Sequence, residues 1–319
     1  MLSLSAVLEP IHEDLVKVED SLKSISEVHV NHLSELLDYS LGSSGKRIRP
    51  ALTLLSGKLY NYDLDYLLPM TAAVELLHSA TLVQDDAIDK SAVRRGRPTV
   101  DDVWGEEKAV LIGDYMFAKA GELCASTGNL RVIKLFSQTL ATISIGELDQ
   151  AFNLEQTREH YLDRVAKKTA SLFVLATESG AILSQASERS VEVLREYGYN
   201  LGIAFQIVDD ILDFTGTEEE LGKPVGSDLA QGTLTLPAML LLERYAEDNP
   251  IRRFFRNRGD MDNKNRVIDM IRNSTIVQEC YDFAANYCTR ACQNLNLLPE
   301  NASRQALMNL ADYIVMRKK

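Results

Sequence analysis

The chain is poor in proline and glycine, has a single tryptophan, and shows almost no strand-like alternation. Eight prolines and 17 glycines in 319 residues leave long stretches without a helix breaker. Helix formers fill those stretches, so the fold class reads as all-α. Positive charge is also in short supply. The net charge is −12 at pH 7, which excludes a non-specific nucleic-acid binder. The basic residues are grouped locally, as a small anionic ligand requires. The four cysteines, Cys124, Cys280, Cys288 and Cys292, lack metal-ligand spacing. Cys288 and Cys292 share one helical face and read as buried thiols in a reducing compartment. No charged segment followed by an apolar core opens the chain, so a signal peptide is not expected and a cytoplasmic location is. No apolar run is expected to be long enough to span a bilayer. Two Asn-x-Ser/Thr triplets, at Asn273 and Asn301, are then coincidental. Low-complexity segments and a domain break are missing too, and 45% of residues are hydrophobic. The expectation is one domain over residues 1–319.

What is present centres on Glu75 to Val100, ELLHSATLVQDDAIDKSAVRRGRPTV. An apolar run delivers Asp85, Asp86 and Asp89. Residues four apart on a helix lie one above the other, so Asp85 and Asp89 share a face and Asp86 flanks them. Carboxylates that close repel unless a cation sits between them. A hard divalent cation such as Mg²⁺ is the simplest one, because it takes one or two carboxylates and fills its other positions with water and phosphate oxygens. Arg94, Arg95 and Arg97 follow and suit the same phosphates. The pattern recurs at Phe205 to Phe214, FQIVDDILDF, with Asp209, Asp210 and Asp213. Two copies of one spacing, each after an uncharged helical run, predict cations held between two helices.

Residues Val7 to Leu41 read as two amphipathic helices, on which His12, His29 and His32 are surface residues. Gly42-Ser43-Ser44-Gly45 opens into Lys46, Arg47, Arg49 and Pro50, a candidate phosphate cradle that lacks Walker spacing. A long helix is predicted from about Tyr66 to Lys90, with Asp65 as its cap. His78 alone reads as a core histidine. Further helices are predicted near Ala109–Ser126, Leu130–Asn153, Thr157–Gln185 and Ser190–Phe214. Lys168 and Thr169 interrupt an apolar face, so the lysine either snorkels or meets an anion in a cleft. Gly216 to Pro237 reads as a glycine-rich flap. Beyond it, further amphipathic helices are expected.

These motifs, GKRIRP, DDAID with RRGRP, KKTASLF, FQIVDDILD and GKPVGSDLAQGTLTLP, stand in the order found in the polyprenyl synthetase family of trans-isoprenyl diphosphate synthases, which the chain resembles over its whole length. The resemblance implies a bundle of long helices around a deep central cavity and a homodimer. It implies that isopentenyl diphosphate is condensed onto an allylic diphosphate, with Mg²⁺ held by Asp85, Asp86, Asp89, Asp209, Asp210 and Asp213. It assigns Arg94, Lys168 and Lys223 to the allylic diphosphate, and Lys46, Arg49, His78 and Arg95 to isopentenyl diphosphate. Thr169 and Gln206 would line the reacting carbons. One position departs: Thr233 stands where the family often has a lysine.

A growing product would lie along the helix below the first motif, each isoprene unit taking about one turn of 5.4 Å. Ala80 and Thr81 are small there, where aromatic residues accompany short products in the family. Leu77, Val74 and Ala73 lie deeper. On the next helix but one, Glu147, Ile143, Thr139 and Phe136 step along one face, with Phe136 the bulkiest plug. The expectation is a product of about six to ten isoprene units, with transient membrane contact on release. The rivals are a short-chain synthase, the catalytic subunit of a heteromer, and a class I terpene cyclase. A cyclase leaves Lys46, Arg49 and Arg95 idle and mixes Asn, Ser or Thr into its second metal motif.

Overall fold

The computed structural model describes residues 3–42, 45–152, 157–222, 224–245, 247, 249–257 and 259–317. Among them the only strands are a two-residue antiparallel pair, β1 (Val93–Arg94) and β2 (Arg97–Pro98). Everything else regular is helix, as the scarcity of breakers predicts. The short α1 (Leu4–Val7) precedes α2 (His12–Ser26) and α3 (Asn31–Leu41), which are the two amphipathic helices expected there. Then come α4 (Ile48–Gly57), α5 (Leu64–Ile88), the short α6 (Val100–Trp104), α7 (Glu106–Ser126) and α8 (Leu130–Phe152). Next are α9 (Arg158–Val165), α10 (Ser171–Leu183) and α11 (Glu188–Thr215), and after them the short α12 (Glu218–Leu221) and α13 (Ser227–Gln231). The chain closes with α14 (Leu236–Arg244), α15 (Pro250–Arg256), α16 (Met261–Arg272), α17 (Ile276–Cys292) and α18 (Ala302–Met316).

The centre of the bundle is α5. Met70 to Leu77 are buried around its whole circumference, with α4, α7 and α10 packed against it. This corrects one expectation. The helix is long and apolar enough to cross a bilayer, but 72% of its most apolar window is buried inside the protein, so it is a core helix. Its cap is Asp63, whose carboxylate accepts from the Asp65 N–H at 3.0 Å. Asp65 itself sits in the first turn. The helix ends at Ile88, two residues before the expected Lys90, because Lys90 turns left-handed at φ +52°.

A second correction concerns Thr157 to Gln185. The expected single helix is broken by one π turn, Ala166–Ala170, which inserts an extra residue where Lys168 and Thr169 stand. Two glycines let neighbouring helices close on this turn. A Cβ on Gly146 of α8 would come within 2.9 Å of the Lys168 side chain, and one on Gly202 of α11 within 2.5 Å of the Ala170 Cα. The α11 end is fixed by Arg272 of α16, which donates to the Phe214 carbonyl at 2.6 Å and the Gly216 carbonyl at 3.0 Å. The contact at Gly202 is against backbone, which cannot swing aside. Gly202→Ala is expected to cost about 1–3 kcal/mol in urea denaturation. An unchanged midpoint would show that the helices have room to part.

Candidate active site

The last turn of α5 presents the first aspartate motif. Asp86 is 5% exposed, and Arg94 grips it: the guanidinium Nε donates to both carboxylate oxygens at 2.7 and 2.8 Å. Arg94 is on β1, and the turn that follows carries Arg95 and Gly96, both left-handed (φ +52° and +73°). The RRGRP loop is therefore a two-residue β-hairpin. Asp85 and Asp89 lie beside Glu147 of α8 and Lys168 of the π turn. Lys168 Nζ reaches Glu147 at 2.5 Å and Gln150 at 2.9 Å. Burial pushes the Asp85 carboxyl up to about 7, and the charge of Glu147 adds to the rise. Burial also raises Asp86 and Asp89.

The second motif sends three carboxylates of α11 three ways. Asp209 meets Arg317, the residue after α18, at 2.7 Å. Asp210 is 2% exposed and accepts from the Tyr161 hydroxyl at 2.6 Å and the Gln206 amide at 2.9 Å. The Gln206 carbonyl oxygen in turn accepts from the Thr169 hydroxyl at 2.7 Å. Asp213 accepts from the Ser227 hydroxyl at 3.0 Å and the Asp228 N–H at 3.3 Å. Burial pushes the Asp210 carboxyl up to about 8, and the charge of Asp228 adds to it. The charge of Asp228 acts on Asp89 as well, so this flap residue lies between the two motifs.

The predicted cations gather alongside. Arg49 is half-buried, stacked 5.1 Å from the Phe173 ring and 5.9 Å from the Phe205 ring, with a buried Nε that has no hydrogen-bond partner. Burial lowers its pKa to about 10. Burial also lowers Lys46 and Arg95. His78 is lowered well below its usual value by burial and then by the charges of Arg49, Arg95, Arg94 and Arg47, which makes it a neutral donor–acceptor. A cavity of about 60 Å³ is lined by His78, Asp86, Arg94 and Arg95 together with Arg47 and Glu75. Arg47, in the same basic run, does a different job. It sits at φ +48°, and its guanidinium bridges Glu19 and, at 2.6 Å, Glu75. Ser43, Ser44 and Lys223 of the predicted cradle and flap lie outside the described residues. The flap is not the continuous loop expected, since it contains α12 and α13. It touches the hairpin where the Gly96 N–H donates to the Gly222 carbonyl at 3.1 Å.

Below the first motif, Ala80 and Leu77 are fully buried and Thr81 nearly so. The Thr81 hydroxyl donates back to the His78 carbonyl at 2.8 Å. Phe136, Thr139 and Ile143 form the buried face of α8, and the Phe136 ring lies 4.0 Å from where a Gly121 Cβ would stand on α7.

The carboxylates suit a divalent cation in one particular way. Among the described residues no three His, Cys, Asp or Glu side chains converge tightly enough to form a cage on their own. Each motif instead offers one or two hard oxygens, the donor set of a cation whose coordination is completed by phosphate. Sequence reasoning missed four participants. Tyr161 and Arg317 stand in no motif, and Asp228 lies within GKPVGSDLAQGTLTLP but carries no expected role there. Glu147 was counted only as pocket lining, whereas here it faces Lys168 and Asp85.

Both strongly raised carboxyls hold a proton in the folded protein that the unfolded chain has released, so stability falls as pH rises between the unfolded value near 4 and the folded values of about 7 and 8. In chelator, the melting temperature is expected to drop from about pH 5.5 to 8.5, with Asp210→Asn flattening the slope. A flat or rising profile would contradict these assignments.

Comparison with known proteins follows the same lines. Residues 30–271 match the family model described as polyprenyl synthetase. The chain is 36% identical over 311 residues to heptaprenyl diphosphate synthase component 2 of Bacillus subtilis (strain 168), covering 97% of this chain and 89% of that one. It is 37% identical over 327 residues to solanesyl-diphosphate synthase 2, chloroplastic, of Oryza sativa subsp. japonica, covering 99% and 80%. The crystal structure of a polyprenyl synthase from Caulobacter crescentus CB15, complexed with calcium and isoprenyl diphosphate, superposes with a TM-score of 0.95 at 33% identity, covering 99% of this chain and 98% of that one. The chain belongs to the polyprenyl synthetase family and is a prenyltransferase.

Proposed function

We propose that the protein condenses isopentenyl diphosphate head-to-tail, with trans geometry, onto an allylic prenyl diphosphate, and that its product has about six to ten isoprene units. The observation that carries this is the placement of two aspartate triplets, on α5 and α11, around one flap carboxylate and one lysine-bearing π turn. Asp85, Asp86 and Asp89 on one side and Asp209, Asp210 and Asp213 on the other would hold Mg²⁺. When bound, the cation neutralises charge growing on the diphosphate leaving group.

The chain's own residues do the rest. Lys168 and Arg94, held by Glu147 and Asp86, turn from those carboxylates to the allylic diphosphate. Lys223 is assigned to the same group. Lys46, Arg49 and Arg95 take the diphosphate of isopentenyl diphosphate, with neutral His78 as a further donor. Thr169 occupies one lone pair of the Gln206 oxygen and leaves the other for the allylic cation. The isopentenyl double bond attacks the allylic C1, and the departing diphosphate accepts the proton that leaves.

Heptaprenyl and solanesyl synthases among the relatives and the small, buried Ala80 and Thr81 support a long product stopped near Phe136. The exposed faces of α7 and α8 support a homodimer. Leu111 is 60% exposed, and Ile145, Leu148 and Phe152 are 49%, 56% and 82% exposed at helical spacing, an apolar stripe that water alone covers poorly. A second reading, the catalytic half of a heteromer, is favoured by the component 2 relative.

Product analysis tests the proposal. With Mg²⁺, labelled isopentenyl diphosphate and ten-, fifteen- or twenty-carbon allylic starters, the purified protein is expected to give products of thirty to fifty carbons. Products ending at fifteen or twenty carbons would overturn the chain-length reading, and no condensation without a second subunit would favour the heteromer. Ala80→Phe is expected to shorten the product and Phe136→Ala to lengthen it. Asp85→Asn is expected to cut kcat by about 10²-fold, with steady-state kinetics as the check. In sedimentation, the native protein is expected at twice the chain mass, and Leu148→Glu at the chain mass.

A further inference from the structure

We propose that Tyr161 is a positioning residue of the condensation: its hydroxyl fixes the Asp210 carboxylate in the orientation in which α11 offers it to the divalent cation. The inference rests on the reading of Asp209, Asp210 and Asp213 as ligands.

The three carboxylates of this motif have partners of different kinds. Asp209 has a guanidinium, Arg317. Asp213 has the flap, through Ser227 and the Asp228 N–H. The two hydrogen bonds that Asp210 accepts both come from neutral donors. Tyr161 gives its hydroxyl to Oδ2 at 2.6 Å, and Gln206 gives its amide to Oδ1 at 2.9 Å. A neutral donor orients a carboxylate without cancelling its charge, and one bond to each oxygen leaves a lone pair on each. That is the pattern of a ligand held ready from behind.

The two donors differ in what they hold. Gln206 stands one turn before Asp210 on the same helix, so it moves with the carboxylate. Tyr161 belongs to α9 and is fully buried, so it ties the carboxylate to another element. The Arg164 guanidinium lies 5.8 Å from the centre of its ring. The chain runs on from α9 directly into the π turn, where Thr169 bonds to Gln206. Tyr161 to Asp210 and Thr169 to Gln206 are thus two rungs of one ladder. The ladder sets the lysine-bearing segment and the second aspartate motif at a fixed distance. Without the first rung, Asp210 can rotate about its side chain, and the cation has to order it on binding.

Tyr161→Phe tests this, because it keeps the ring and removes only the donor. Three quantities are measured: the Mg²⁺ concentration that gives the half-maximal rate, the Mg²⁺-dependent binding of inorganic diphosphate by calorimetry, and the melting temperature in chelator. The expected result is a Mg²⁺ requirement raised about 10-fold, diphosphate binding weakened in parallel, an unchanged KM for isopentenyl diphosphate, and a rate that recovers in excess Mg²⁺. An unchanged Mg²⁺ requirement, with the melting temperature or the rate lowered at every Mg²⁺ concentration, would overturn the proposal. So would a variant that does not fold, since the hydroxyl would then serve the structure alone. Asp210→Asn separates the two levels. If it leaves the Mg²⁺ requirement unmoved, the ligand reading itself fails. If it raises the requirement and Tyr161→Phe does not, only the role of Tyr161 fails.

Discussion

Carboxylates gathered inside a low-dielectric helix bundle repel one another and resist losing water, and the organisation of this protein follows from that cost. Asp85 and Asp210 stand far above the usual carboxylate range because burial disfavours their charge and a neighbouring carboxylate adds to the effect. A fold meant only to be stable would place such groups on its surface. Here each has a donor or a cation at hand: Lys168 near Asp85 and Asp89, Arg94 for Asp86, Arg317 for Asp209, Tyr161 and Gln206 for Asp210, and the flap for Asp213. The arrangement makes sense if a stronger positive charge arrives with a diphosphate and takes over what these partners hold.

The bundle supplies the rigidity that keeps such a site from relaxing. Core helix α5 carries one motif at its end, and α11 carries the other. Between them the π turn is pressed from both sides at Gly146 and Gly202. Arg272 fastens the end of α11, and Arg47 fastens the basic segment to Glu19 and Glu75. The flap then closes the circuit from Asp213 to the hairpin through Gly222 and Gly96. Positioning of this kind matters because a leaving-group reaction is accelerated by charges already in place.

Much of this was legible in the amino-acid sequence, and the reason is locality. The spacing of Asp85, Asp86 and Asp89, its repetition at Asp209, Asp210 and Asp213, and the helices that carry them depend on residues within a turn or two. What could not be read depends on contacts between distant parts of the chain. Tyr161 meets Asp210, and Arg317 meets Asp209, only after folding brings α9 and the segment after α18 against α11. The π turn was hidden because its residues are good helix formers and the extra residue is imposed by packing. The cap of α5 was misplaced by two residues because Asp63 and Asp65 are chemically identical there, and only the backbone decides between them. A related point holds for α5, which is long and apolar enough to cross a bilayer: hydropathy reads the same for a bilayer and a protein core, and only burial, 72% of its most apolar window, decides for the core.

The central claim is that both aspartate motifs act on a single cation-bridged diphosphate. Crystals soaked with Mn²⁺ and a non-cleavable allylic diphosphate test it most directly, with the metal located by its anomalous scattering. The account predicts metal density at Asp85 and Asp89 and at the α11 motif, both contacting the same diphosphate, with Lys168 turned away from Glu147. Metal confined to one motif, or a diphosphate bound with Lys168 still on Glu147 and Arg317 still on Asp209, would contradict it.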